Sequence, residues 1–402
     1  MGSLQTFRLL VISCRFPHPE APRGSPFVKS QIDFIKKRVA KIYVIALTPY
    51  VPGYLSRFFS RSRWKRDPFV HDYKYDNVEI YYAKHIALPF EYFRKKRGKY
   101  ALRAANKVIR DNNLDFDLIH AHTIFPSGYI GMELKKHSGK PLIITGHGGD
   151  VYLLPFKNSF WNRTVQNILK QTDHIITVSK SNYEKLKQLD TPYGKISIIP
   201  NGYDSNLFKK LSVKEARGIL NLPPDKRIIL TVGDLEPVKG HEYLIRAMKR
   251  VAMEKDNIIC LIIGSGTEQK KLQGLIDKHG LNEIVELKGE KPHDQIPLWM
   301  NACDLFVLPS LNEGNPTVMF EAMGCGKPFV GTEVGGVPEI ITNRKLGILL
   351  KPGNSDQLAS AIMEAFDTEW DEDFILDYSK QFVWDKIADD ITDIYSNFLL
   401  TR

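Results

Sequence analysis

Two hydrophobic patterns alternate along this chain. Short, nearly unbroken apolar runs occur at residues 7–13 (FRLLVIS), Lys41–Leu47, Val78–Ala83, Asp117–His120, in PLIITGHGGD (141–150), and at His174–Val178, Arg227–Val232, Asn257–Ile263 and Leu305–Leu308. Runs this short and this apolar read as strands buried on both faces. Between them lie stretches with helical spacing: one following the first run to about Val39, residues 159–171, a stretch entered at Gly240, and a tail from Tyr378 to Leu400 carrying Phe382, Ile387, Ile391, Ile394 and Phe398. Strand followed by helix, repeated, predicts an α/β chain. At 402 residues the chain exceeds one ordinary core, so two domains are expected. The breaker cluster Pro200-Asn201-Gly202 marks the boundary.

The stretch from Asp304 to Gly326 carries the clearest chemistry. An apolar strand, Leu305–Leu308, runs into a loop from Pro309 to Asn315, and a helix is expected to start at Pro316. Proline suits the first helical position because its missing N–H has no intrahelical partner there, and Asn315 stands where an N-cap belongs. Backbone N–H groups between Gly314 and Val318 are then expected at a positive helix end beyond the carboxyl end of a strand. An open parallel sheet binds anionic ligands at such a place. Glu313 and Glu321 bracket the turn. N–H groups for phosphates and carboxylates for hydroxyls suit a ligand with both, and a nucleotide sugar fits.

The segment NEGNPTVMFEAMGCGKPFV, with its E-x7-E spacing, resembles the retaining glycosyltransferases of the GT-B fold, family 4 or glycosyl transferases group 1. That resemblance implies two Rossmann-like domains facing across a cleft: an acceptor-binding domain at 1–203, a nucleotide-sugar-binding domain at 204–375, and a last helix, 376–402, returning to the first domain. It places Glu321 on the ribose hydroxyls, Glu313 on the donor sugar, and Gly314, Asn315, Pro316, Thr317 and Val318 against sugar and diphosphate. GDLEPVKG (233–240) resembles the family's phosphate motif, which implies donor-binding roles for Gly233 and Lys239. Asp234 departs from it, standing where many members place an arginine. Gly264, in the GSG turn 264–266, is implied near the nucleotide, and Gly289, Glu290 and Lys291 are implied to hold the base. The H-x-H segment 120–122 and the T-x-H-G-x-D segment ending at Asp150 also match. They imply His122, and less directly His120, near the donor sugar, with His147 and Asp150 on the acceptor side. Gly24, in the first strand-to-helix loop, is implied on that side too, although a Gly-Gly pair frequent in the family is absent. Its ordinary reading is a Pro/Gly connection; that of His122 is a packed histidine, and that of Asp150 a turn cap.

The implied reaction transfers a hexose from a nucleoside diphosphate sugar to a hydroxyl, with retained configuration and with His122, Lys239 and Glu313 as catalytic residues. No cofactor and no metal are expected. No D-x-D stands in a suitable loop, since Asp371-Glu372-Asp373 lies in a charged C-terminal segment, and the two histidines lack a third ligand at convincing spacing. Lys239 and the helix start would take the charge on the leaving diphosphate instead. A sugar-nucleotide epimerase on the same fold and a non-catalytic nucleotide-sugar-binding protein are the alternatives.

Composition is globular, 43% hydrophobic and 25% charged. The four cysteines lack C-x-x-C spacing and read as buried thiols in a reducing compartment. Charge adds a second feature. Residues 1–200 carry 33 Lys+Arg against 15 Asp+Glu, a balance of +18, while 201–402 carry 23 against 31, a balance of −8. Within the basic half, residues 57–66 (RFFSRSRWKR) and 90–103 (FEYFRKKRGKYALR) interleave cations with aromatic rings. That mixture suits anionic headgroups and the membrane interface. A solvated charged surface is the bland alternative, and no nucleic-acid motif supports a third. The expected partners are a nucleotide-sugar donor, a lipid-linked or glycan acceptor and a membrane surface. The expected location is cytoplasmic, at the inner face of the cell membrane.

Overall fold

The computed structural model describes residues 6–14, 16–19, 26–51, 70–88 and 90–399. The chain divides into two compact units, residues 1–200 with 385–402, and residues 201–384. Gly24 and the basic segment 57–66 lie outside the described residues.

The first unit holds β1 (Arg8–Ser13), β2 (Lys41–Tyr50), β3 (Tyr73–Tyr75), β4 (Val78–Ile86), β5 (Leu118–His122), β6 (Leu142–Gly146), β7 (His174–Thr177) and β8 (Ile196–Ile198). Their order is β3-β4-β2-β1-β5-β6-β7-β8. Pairing is parallel except at the edge, where β3 runs antiparallel to β4. The second unit holds β9 (Arg227–Val232), β10 (Ile258–Ile263), β11 (Val285–Gly289), β12 (Leu305–Leu308), β13 (Phe329–Thr332) and β14 (Gly347–Leu350) in the order β11-β10-β9-β12-β13-β14, all parallel.

The apolar runs of the second unit alternate between its two faces. Leu230, Phe306, Leu308 and Phe329 join a cluster on one side, while Ile229, Leu305, Val307 and Val330 join a cluster on the other. Both faces are therefore covered, and both positions of the period-two pattern are apolar. Each large side chain so buried contributes roughly 1.5–3 kcal/mol relative to exposure. In each sheet the order reverses beside the first strand, between β1 and β5 in one and between β9 and β12 in the other. Loops leaving adjacent strands at such a reversal diverge, and the crevice between them is where ligands bind.

Two boundaries differ from the sequence expectation. The first unit ends at Pro200 rather than 203, and residues 376–384 belong to the second unit rather than to a returning helix. The tail is interrupted. One helix spans Glu372–Ser379 and another spans Trp384–Leu399. Between them, Tyr203 N donates to the Phe382 carbonyl at 3.0 Å and Trp384 N donates to the Tyr203 carbonyl at 2.9 Å. Phe382 is drawn into the second unit's core, whereas Ile387 lies beyond the break in the first unit.

Candidate functional site

In the second unit the loops after β9 and β12 are locked together. Gly240 adopts φ +66°, and a Cβ there would sit 2.1 Å from the Pro309 carbonyl oxygen, so only glycine allows this approach. Leu311 N donates to the Val238 carbonyl at 2.8 Å. Lys239, in a tight turn before the helix His241–Glu254, thereby reaches Glu313, its Nζ 2.7 Å from Oε1. Ser310 Oγ donates to the same oxygen at 2.6 Å. Glu313 is 8% exposed. On its far side Gly335, at φ +53°, leaves no room for a Cβ, which would lie 1.9 Å from the Glu313 carbonyl oxygen. Gly336 N donates to the Gly314 carbonyl at 2.8 Å.

The helix begins at Thr317, one residue later than expected, and Pro316 holds the N-cap position without a side-chain cap bond. Asn315 is not the cap, because its side chain is committed elsewhere. Its Oδ1 accepts from Asn201 N at 2.8 Å, and its carbonyl accepts from Asn201 Nδ2 at 2.8 Å. Thr317 and Val318 form the first turn, whose N–H groups have no intrahelical acceptor. Glu321 is 5% exposed, and its Oε1 accepts from His293 Nε2 at 2.8 Å. Burial opposes charge on His293, but the bond to Glu321 and its attraction prevail and raise the imidazole above the usual histidine range. Among the described residues, no donor meets Oε2 of either Glu313 or Glu321. Each acid therefore has one oxygen anchored and one open to a hydroxyl.

The remaining donor-side positions also cluster. Gly264, at φ +153°, approaches Gly233 so closely that a Cβ would lie 1.9 Å from the Gly233 carbonyl oxygen. Gly264 N donates to the Gly289 carbonyl at 3.0 Å, which ties the ends of β9, β10 and β11 together. Ser265 Oγ donates to Glu290 Oε2 at 2.8 Å, and Lys291 Nζ stands 5.6 Å from the Trp299 ring centroid. Gly233, Gly264, Gly289, Glu290 and Lys291 thus rim one end of the sheet. Glu313 meets Lys239 directly.

The first unit gathers the histidines. His120 bonds Thr145 Oγ1 through Nε2 at 2.7 Å and Tyr395 Oη through Nδ1 at 2.6 Å. His122 Nδ1 and His147 Nε2 share a hydrogen at 3.0 Å. Burial holds all three neutral, with His120 and His147 pushed down to about 3 and His122 well below its ordinary value. Asp150 accepts from Ile124 N at 2.9 Å, Gly148 N at 2.9 Å and His147 N at 3.2 Å. Both its oxygens are occupied, so in this state it clamps the turn. Between His122 and Ile124, Thr123 sits at φ +81°, a costly conformation for a β-branched residue, which this clamp helps to hold. The sequence singled out His122, His147 and Asp150 but missed Tyr395. It likewise missed His293, Ser310 and the Asn201–Asn315 pair. Ser310 and Asn315 lie in the stretch Asp304–Gly326 that the sequence singled out, and Asn201 lies in the boundary cluster, but no motif pointed to His293 or Tyr395.

The chain is similar to known proteins along most of its length. A family model described as glycosyl transferases group 1 matches residues 212–381, and one described as Glycosyltransferase Family 4 matches residues 42–207. An uncharacterised glycosyltransferase of Methanocaldococcus jannaschii is 30% identical over 86% of this chain and 95% of its own length. A putative teichuronic acid biosynthesis glycosyltransferase of Bacillus subtilis is 26% identical over 96% of this chain and 92% of its own. Among solved structures, sucrose-phosphate synthase from Thermosynechococcus elongatus superposes with a TM-score of 0.79 at 21% identity, covering 98% of this chain and all of the other. Anabaena HepE in complex with UDP-glucose gives 0.73 at 21% identity, covering 97% of this chain and 100% of the other.

Proposed function

Because the chain belongs to the group 1, family 4 glycosyltransferases and carries the GT-B fold, we propose that it moves a hexose from a nucleoside diphosphate sugar to a hydroxyl of a lipid-linked or cell-surface glycan, retaining the anomeric configuration without a metal. One observation carries the donor half of this reading. Lys239 and Glu313 meet at 2.7 Å where the second sheet reverses its order, between a strand end and a helix start. A diphosphate there has a cation and first-turn N–H groups, while the open oxygens of Glu313 and Glu321 accept from sugar and ribose hydroxyls. A structural relative solved with UDP-glucose supports a nucleotide sugar, and a relative in teichuronic acid biosynthesis supports an envelope glycan.

In the proposed reaction the bond between the anomeric carbon and the diphosphate oxygen breaks. The acceptor oxygen bonds to that carbon on the same face, and its proton passes to the departing diphosphate. Lys239 stabilises the charge that develops on the leaving group, which is electrostatic catalysis and needs no general base of the chain. Glu313, gripped by Lys239 and Ser310, orients the sugar. In the first unit, His122 is proposed to serve the donor sugar and His147 the acceptor, and both stay neutral and act as hydrogen-bonding groups rather than as cations. No helix of the described residues is long and apolar enough to cross a membrane. The basic first half of the chain supports a lipid-linked acceptor met at a membrane surface.

The test is a panel of UDP- and GDP-hexoses incubated with the protein and polyprenyl-phosphate-linked sugars in EDTA. Nucleoside diphosphate release that depends on acceptor is expected for one donor. Release without acceptor would favour an epimerase or hydrolase, and no release or thermal shift with any donor would overturn the reading.

A further inference from the structure

The helix Glu91–Asp111 carries eight Lys+Arg against two acids, a balance of +6, yet it is not a uniformly solvated basic face. Gly98, Ala101 and Ala105 are buried, while Tyr92, Lys95, Lys96, Lys99 and Arg103 share one outward stripe at three- and four-residue spacing. Beside the start of this stripe lie a loop that the sequence did not mark, residues 153–158, and the first turn of the helix Ser159–Gln171. Lys157 Nζ bonds Glu91 at 3.1 Å, Trp161 Nε1 donates to Glu91 at 3.1 Å, and Lys95 Nζ stands 4.7 Å from the Phe160 ring centroid. Helix and loop are therefore one surface. It exposes large apolar side chains: Phe90 55%, Tyr92 59%, Leu153 62%, Phe156 46% and Phe160 37%. Lys185 lies over Phe156 at 5.7 Å and extends the cationic border. Glu91, at the junction, is charge-paired with Lys157 and accepts a hydrogen bond from Trp161.

Water alone gives no reason to cluster exposed rings and a leucine, and the surrounding cations rule out an acid-free apolar partner as the best match. We propose that this surface docks the first unit onto an anionic lipid bilayer, with Phe90, Tyr92, Leu153, Phe156 and Phe160 entering the interface and the lysine stripe lying against headgroup phosphates. Rings seated at the acyl boundary and lysines reaching back to phosphates match the two layers of a bilayer surface in order. The inference rests on the functional reading only for its lipid-linked acceptor, and its geometry is independent of the donor site.

The test is co-sedimentation of the full chain with vesicles of phosphatidylglycerol and phosphatidylcholine, and of phosphatidylcholine alone. Binding to the anionic vesicles alone, weakening as salt rises, is expected. The variant Lys95→Glu with Lys99→Glu should lose at least about tenfold in partitioning. The variant Leu153→Ser with Phe156→Ser should lose several-fold while keeping its salt dependence. Thermal unfolding and the shift produced by the nucleotide-sugar panel should match wild type in both. Absent binding, unchanged binding by both variants, self-association through this face, or binding to nucleic acid in place of vesicles would overturn the proposal. Vesicle binding without any nucleotide-sugar response would leave the surface standing and remove the transferase reading.

Discussion

Lys239 is where charge and mechanism meet. Its ammonium is held 2.7 Å from a nearly buried carboxylate, so in the free protein it is aimed and neutralised at once. Lys239→Ala should lower kcat by roughly 10²–10³-fold, as expected when a preorganised donor to a leaving-group oxyanion is removed. Steady-state assay of nucleoside diphosphate release checks this. His293 works one step back from the ligand. It fixes one oxygen of Glu321 and leaves the other for hydroxyls. His293→Ala should raise donor KM about tenfold with kcat nearly unchanged, the loss of one hydrogen bond to a charged group, and His293→Gln should restore part of it. A similar drop in kcat would contradict a positioning role. Glu313 and Glu321 were readable from their spacing, because both sit on one strand–loop–helix unit. His293 was not, because its only tie to Glu321 is a fold that brings residues 28 positions apart together.

Among the elements, the loops at the order reversal of the second sheet are held by glycines under contact. Gly335→Ala would place a Cβ against the Glu313 carbonyl at φ +53°. The backbone conformation alone costs about 1–2 kcal/mol, and relief of the clash must move Glu313. Urea unfolding should show a loss larger than that of Gly139→Ala, which has φ +68° but nothing within 4 Å of the added carbon. Equal losses would mean that the loop yields freely. Strands were the most legible elements, since a parallel strand covered on both faces is a plain apolar run. The three-residue edge strand β3 was too short to show. The last helix was misread because Phe382 fits the helical spacing of Ile387 and Ile391 although the chain breaks between them to pair with Tyr203.

On the scale of the whole molecule, buried histidines weigh on the response to pH. His120, His122 and His147 are kept neutral by burial, with folded values far below the ordinary 6.5. The unfolded chain therefore binds more protons as pH falls below 6.5. Stability drops by up to about 1.4 kcal/mol per pH unit for each such histidine. His293 has the opposite sign: its raised value adds stability that is complete below 6.5 and is lost as pH rises through the folded value. His85 and His241, also buried and pushed down to about 4, act in the same direction as the cluster, so the depressed histidines outweigh His293 and the urea midpoint should be lower at pH 5 than at pH 7. An equal or higher midpoint at pH 5 would contradict histidines kept neutral by burial. Two domains and their α/β class were legible from length and alternation. Strand order was not, because it is set by which loops are long enough to cross, and neither was the exposed patch of Leu153 and Phe156 in the loop 153–158 and Phe160 on the helix after it, which read in sequence like ordinary core residues. The central claim is that the turn holding Lys239, Glu313 and Glu321 binds a sugar-bearing diphosphate. Calorimetric titration of UDP- and GDP-sugars into wild type and Lys239→Ala, both in EDTA, tests it most directly. One donor should bind wild type and bind the variant at least about tenfold more weakly, the loss of a charge-assisted contact, whereas no binding, or equal affinity for both proteins, would contradict it.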